Sequence, residues 1–491
     1  MDILFATTEL APYVKVGGLA DVAASLPKAL RSLGHKITVV VPRFPGFEAG
    51  GLLVARRLTP LRIQHGDASV EVTLYDGRLA SQVDLLLVDV PGLFARADVY
   101  GPPGKDAPDN ARRFSLFSRV VAEVARARAG EGNPFDLVHL NDWPTALTAK
   151  YMQDARVAGT RTVLTLHNAA HQGVFEKEAM GEIGLPWSDF TVQGIEFYGG
   201  VSFLKQGIVS ADAVSTVSSR HAAELVTAEG GFRLDGVLRA KGRITGILNG
   251  VDYSVWNPAT DPHLPARFDA EDASAKARCK GAFQKELGLP LSPEAPLLVS
   301  VGRLVEQKGI DLLLGAIPKL LRMTDVQIVI LGEGDDAIVE AISAQIAKSR
   351  GRAVFVRAAS EGVVHRAFGA ADFVSVPSRF EPCGLVQLYA QRYGALPIAH
   401  AVGGLVDTVV DCDAKLETGT GFTFDTPTEE AYLGATLRAI SSREHPAFPS
   451  LVRRVMRADR GWERSARQYE ALYRKVTRKT PEASEPRRTS P

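Results

Sequence analysis

Two α/β domains, each a parallel sheet covered by helices, are what this 491-residue sequence predicts. Three observations carry the prediction. Short apolar runs recur along the chain, each followed by a longer stretch at helical spacing. There are about eleven such runs, more naturally two sheets than one very wide one. A proline-bearing stretch without strand signal, Pro258 to Pro296, separates the first six runs from the last five. Continuous apolar runs fit strands buried on both faces, with the helices as crossovers.

In the first half, strands are expected at Ile3–Ala6, Ile37–Val41, Val83–Val88, Leu137–Leu140, Val163–Leu166 and Ala213–Val217. In the second half they are expected at Leu297–Val301, Val326–Leu331, Ala353–Val356, Phe373–Val376 and Pro397–Ala399. The first helix opens after Lys15-Val16-Gly17-Gly18-Leu19, with Leu19, Val22, Ala23, Leu26, Leu30 and Leu33 on one face. Gly34 is a natural stop, and Pro27 predicts a kink or a weakened helix. The boundary is placed near Asn249–Asn257, giving domains 1–250 and 251–458, each Rossmann-like. Trp462, Ala466, Tyr469, Leu472 and Tyr473 then mark a last helix within 459–477 that must pack on something. Residues 478–491, with Pro481, Pro486 and Pro491 among polar residues, read as a disordered tail. Val16-Gly17-Gly18-Leu19-Ala20-Asp21 is echoed by Val402-Gly403-Gly404-Leu405-Val406-Asp407, as two similarly built domains would allow.

Composition narrows the function. The net charge is +1, from 57 basic and 56 acidic residues, which excludes nucleic-acid binding driven by bulk charge. Cys279, Cys383 and Cys412 show no CxxC spacing and cannot build a disulfide framework, which suits a cytoplasmic setting. The start, Met1-Asp2-Ile3 with Glu9 soon after, lacks the basic region of a signal peptide. No apolar run approaches the roughly 18 residues of a membrane span.

Several loops at expected strand ends carry candidate chemistry. Gly17 and Gly18 open a helix, where backbone N–H groups favour an anion, and Lys15 adds a full charge; a tight turn with a solvated lysine fits the same residues. Arg303 and Lys308 follow the strand Leu297–Val301, at the C-terminal strand end where open α/β sheets bind ligands. Two cations there suit a diphosphate, and an ordinary surface loop is the bland reading. Glu381-Pro382-Cys383-Gly384-Leu385 precedes a helix expected from Leu385 to Tyr393; Glu381 can accept from sugar hydroxyls. Cys383 has no local base, so a small residue in a tight turn fits it better than a nucleophile. Asp142 and His167 end two first-half strands, which suggests a shared crevice. His171 completes no zinc-like spacing, and no Asp-x-Asp metal signature accompanies the loops.

These motifs together resemble the bacterial glycogen synthases and plant starch synthases. The resemblance runs to about Val476. It rests on Lys15 through Val22, Pro108-Asp109-Asn110, Asp142-Trp143, Leu166-His167-Asn168, Ile247 through Asp252, Arg303 through Gly309, and Ser378 through Leu385. It implies a GT-B glycosyltransferase with a deep interdomain cleft. The implied reaction moves glucose from ADP-glucose to the non-reducing 4-OH of an α-1,4-glucan, with retention and without a metal or other cofactor. By matching positions, Lys15, Arg303 and Lys308 would hold the diphosphate, helped by backbone at Gly17, Gly18, Gly384 and Leu385. Glu381 would bind glucose hydroxyls, and His167, Asp142 and Asn249 would line the sugar, beside Cys383. The last helix would cross back to the first domain. The sequence departs from the family pattern at Ala359, where an aromatic often stacks on adenine, at Val386, often threonine, and at Ala399-His400-Ala401. Alternatives are a UDP-glucose enzyme or one with another acceptor, and a silent glucan- or nucleotide-binding homologue. A phosphorylase would need lysine-bound pyridoxal phosphate.

Overall fold

The computed structural model describes residues 1–478 apart from 67, 103 and 104. The expected tail, apart from Arg478, lies outside the described residues. Two large sheets organise the chain. The first has ten strands. Its parallel part runs Thr245–Gly246, Ala213–Thr216, Arg161–Leu166, Leu137–Asn141, Asp2–Ala6, Lys36–Pro42, Asp84–Asp89. Asp2–Ala6 lies at its centre, Phe5 opposite both Val39 and His139, and is almost wholly buried. The second sheet is all parallel, in the order Ala353–Arg357, Gln327–Gly332, Leu297–Val301, Phe373–Val376, Leu396–His400, Phe422–Phe424. All eleven apolar runs are strands here.

The structure adds strands that no apolar run announced. Ala68–Arg78 pairs antiparallel with Asp84–Asp89 and carries Val54–Arg56 and Leu61–His65 at the edge of the first sheet. One face of it is polar, so it alternates rather than running apolar. A third, small sheet joins Val174–Phe175, Gly200–Ser202 and Glu196–Phe197. Pro27 does not break its helix, which spans Gly18–Ser32. Pro27 is itself buried, and packing of the apolar face outweighs the hydrogen bond a proline cannot donate.

Each large sheet has its own core, and the chain passes between them twice. Ile247 packs in the first core and Val251 and Trp256 in a core of the second half. The return segment lies alongside: the N–H of Val251 donates to Arg460 O at 2.7 Å. The helix Trp462–Thr477 then buries Trp462, Ala466, Tyr469 and Tyr473 in the first core. Tyr473 Oη sits 2.6 Å from His139 Nδ1, whose other nitrogen faces Thr165 Oγ1 at 2.7 Å. Among the described residues no helix is long and apolar enough to cross a membrane.

Candidate active site

The C-terminal ends of both sheets face one gap. On the first lobe, the strand Asp2–Ala6 runs into a loop whose organiser is Glu9. Glu9 Oε2 accepts the N–H groups of Val16 and Gly17, both at 2.8 Å, and Oε1 accepts from Tyr100 Oη at 2.9 Å. Burial pushes the Glu9 carboxyl up, against those hydrogen bonds and the charge of Arg303 across the gap. Here the structure corrects the sequence reading: the Gly17 amide is not open to an outside anion, because a side-chain carboxylate already fills it. Among the described residues nothing accepts the N–H of Gly18, and a Cβ there would lie 3.3 Å from Leu385 Cδ1 of the other lobe. Lys15 Nζ contacts Asp21 at 2.8 Å and, across the gap, Glu361 at 3.9 Å.

Asp142 follows the strand Leu137–Asn141 at φ +57°, and Asp142 Oδ1 accepts the His167 N–H at 2.7 Å. Burial, with Glu9 nearby, pushes its carboxyl up to about 7. The His167 ring is fixed by Asn141: Asn141 Nδ2 donates to Ala6 O, so its Oδ1 faces His167 Nε2 at 2.8 Å. His167 therefore carries its proton on Nε2 and leaves Nδ1 as an acceptor. Burial lowers the imidazole to about 3, so it stays neutral near pH 7. Asn249, buried, keeps its Oδ1 without a protein donor among the described residues.

On the second lobe, Arg303, Lys308, Glu381, Gly384 and Leu385 line one cavity. Lys308 Nζ lies 2.5 Å from Glu381 Oε2, which also accepts from Ser378 Oγ at 2.8 Å. The other oxygen, Oε1, has no protein donor among the described residues. Arg303 is exposed, and among the described residues nothing accepts from its guanidinium. The helix after this loop is shorter than expected, Val386–Arg392. The N–H groups of Gly384 and Leu385 thus act as individual donors with little dipole behind them. Gly384 sits at φ +73°, and a Cβ there would lie 2.4 Å from Gln387 Oε1, which explains the glycine. Cys383 is buried and its thiol pushed up to about 12, which suits packing and not nucleophilic attack. Of the departures, Val386 lines the cavity, Ala359 packs on the second-lobe core, and His400 is tied to Ser378 O at 2.8 Å.

The lobes touch around this gap. Ser218 Oγ donates to Pro382 O at 2.5 Å, Glu224 Oε1 accepts from the Gly403 N–H at 3.0 Å, and Asn168 Nδ2 reaches Gln307 Oε1 at 3.5 Å. The structure thus sets the Lys15 loop, through Gly18 and Leu385, and the His167 loop, through Asn168 and Gln307, against the second-lobe loops that line the cavity. Sequence reasoning missed Glu9 and Tyr100. A carboxylate just past the end of a buried strand was the available signal for Glu9; Tyr100 arrives on a long loop and has none.

Two Rossmann-like lobes with a cation-lined gap between their strand ends make this a glycosyltransferase of the GT-B fold. Residues 2–240 match the family described as starch synthase catalytic domain, and residues 286–449 match glycosyl transferases group 1. A glycogen synthase of Anaeromyxobacter dehalogenans (strain 2CP-1 / ATCC BAA-258) is 44% identical over 96% of this chain and 99% of its own. One from Thioalkalivibrio sulfidiphilus is also 44% identical, over 96% and 99%. The catalytic domain of starch synthase IV from Arabidopsis thaliana, solved with ADP and acarbose, aligns with a TM-score of 0.87 at 32% identity, covering 97% of this chain and 99% of that one. The chain belongs to the glycogen and starch synthase family.

Proposed function

We propose that this enzyme transfers glucose from ADP-glucose to the non-reducing 4-OH of an α-1,4-glucan, with retention, in the cytoplasm. The observation that carries the reading is the convergence of Arg303, Lys308 and the Lys15 loop on one gap beside a half-satisfied Glu381. Breaking the bond from the anomeric carbon to the phosphate oxygen develops negative charge on the departing ADP. Lys308, held by Glu381, and the Gly384 and Leu385 amides are fixed donors for that charge. The Arg303 guanidinium, without an acceptor among the described residues, adds a further cation, and all act most strongly where the charge is greatest, in the transition state. Lys15 joins them by leaving Asp21. Glu381 Oε1 accepts from glucose hydroxyls, while Oε2 keeps Lys308 in place. Neutral His167 offers Nδ1 to another hydroxyl, and Asn249 Oδ1 a third acceptor. The acceptor oxygen attacks on the face the phosphate leaves, its hydroxyl proton passing to the departing phosphate oxygen, so no glycosidase-like pair of carboxylates is required.

The bound ADP of the starch synthase IV structure favours adenine. A second reading, UDP-glucose, draws on Ala359, which offers no ring for stacking. Incubation with each labelled nucleotide glucose plus glycogen tests both. We expect label in polymer from ADP-glucose; label only from UDP-glucose overturns the donor, and none from either overturns the reaction.

A further inference from the structure

A hairpin of the small sheet departs from the chemistry its turn requires. Phe197 pairs with Gly200, so Tyr198-Gly199 is a two-residue turn with both residues at positive φ, +49° and +86°. Such turns favour Asn, Asp or Gly at the first position. A tyrosine in that conformation is strained. Burial does not offset the strain, because Tyr198 is 72% exposed. Its neighbour is a cation: the Arg233 guanidinium lies 5.1 Å from the ring centroid. Arg233 and Phe232 are themselves at φ +68° and +49°. Among the described residues nothing accepts a hydrogen bond from the Arg233 side chain, which is exposed.

Two routes tie this patch to the active site. The Phe232 ring lies 5.0 Å from Phe380, the residue before Glu381. The third strand of the small sheet, Val174–Phe175, closely follows the loop that carries His167. Three strained residues thus hold an exposed ring and, over it, a guanidinium that has no hydrogen-bond acceptor among the described residues, at the rim of the cleft. Backbone strain concentrated in this way marks ligand contacts.

We propose that Tyr198 and Arg233 form a subsite for an α-1,4-glucan chain, away from its reacting end; this rests on the acceptor proposed above. A glucose ring has an apolar face and a rim of hydroxyls. The face packs on the side of the exposed Tyr198 ring that Arg233 does not cover, and the hydroxyls accept from the Arg233 N–H groups at the ring's edge. Neither contact involves the nucleotide.

Replacing Tyr198 by asparagine separates fold from ligand, because asparagine suits the turn but has no ring. Tyr198→Asn is expected to melt at the same or a higher temperature than the natural protein. It should bind glycogen about tenfold more weakly in glycogen-containing native gels, the effect of losing one aromatic anchor. Its KM for glycogen should rise similarly, with KM for the nucleotide sugar and turnover on maltose unchanged. Tyr198→Trp should keep glycogen affinity. Unchanged retention of Tyr198→Asn by glycogen overturns the subsite, as does an equal loss of activity on maltose and glycogen. The gel needs no turnover: loss of retention in a protein that transfers no glucose supports the subsite while overturning the proposed reaction.

Discussion

Because nothing among the described residues accepts from the Arg303 side chain, replacing it with alanine removes a charge without orphaning a partner. Arg303→Ala should therefore melt like the natural protein and lose about 10²–10³-fold in turnover, the usual cost of removing one donor to transition-state charge. Steady-state rates beside a melting curve check it, and near-normal turnover would take Arg303 out of the site. Asp142 makes a prediction of the opposite kind. Its carboxyl titrates near 3.8 when unfolded and about 7 in the fold. Between those values the folded chain holds a proton the unfolded chain has lost, so stability falls as pH rises through the window and stays lower above it. Asp142→Asn keeps an oxygen for the His167 N–H and removes the titration. Its melting temperature, relative to the natural protein, should be higher at pH 8 than at pH 4. Residue types were readable here and their partners were not. Lys15 and Glu381 stood out by charge beside glycine, but nothing local tells that Glu9 closes on Gly17 or that Asn141 sets the His167 tautomer.

At the level of elements, sequence pattern served best where both faces of a strand are buried. Leu137–Asn141 and Phe373–Val376 are buried throughout and read directly as apolar runs. Ala68–Arg78 shows only alternating burial, and the two-residue strands of the small sheet are too short for any periodicity. The Pro27 helix shows why local signals fail in the other direction: one missing donor is small against a whole buried face. The loop ahead of Val386–Arg392 depends on a glycine backbone. Gly384→Ala should destabilise the protein by about 1–2 kcal/mol, from the positive φ, together with a crowded Gln387. A lower melting temperature checks this, and nucleotide affinity should fall with it as the Gly384 and Leu385 amides move.

Across the whole molecule, hydrogen bonds clasp the lobes, among them Ser218 to Pro382, Arg220 to Asp407, Glu224 to Gly403 and Asn168 to Gln307. Each is one hydrogen bond of modest net worth, about 1 kcal/mol, small enough for a bound nucleotide to outweigh. Glu224→Ala should shift the unliganded enzyme toward a more open form, seen as a larger radius of gyration by small-angle scattering. Its KM for the nucleotide sugar should rise more than its turnover falls. An unchanged radius together with unchanged KM would show that the clasp does not hold the lobes.

The helix Trp462–Thr477 has a practical consequence. It returns the chain to its starting lobe, where Glu470 lies 3.2 Å from His35 and His35 in turn meets the Met1 amine at 3.2 Å. Fluorophores attached near Met1 and near Glu470 would ride on one rigid unit and stay silent while the enzyme breathes. A dye near Met1 with a second on the exposed Met323 would report every opening.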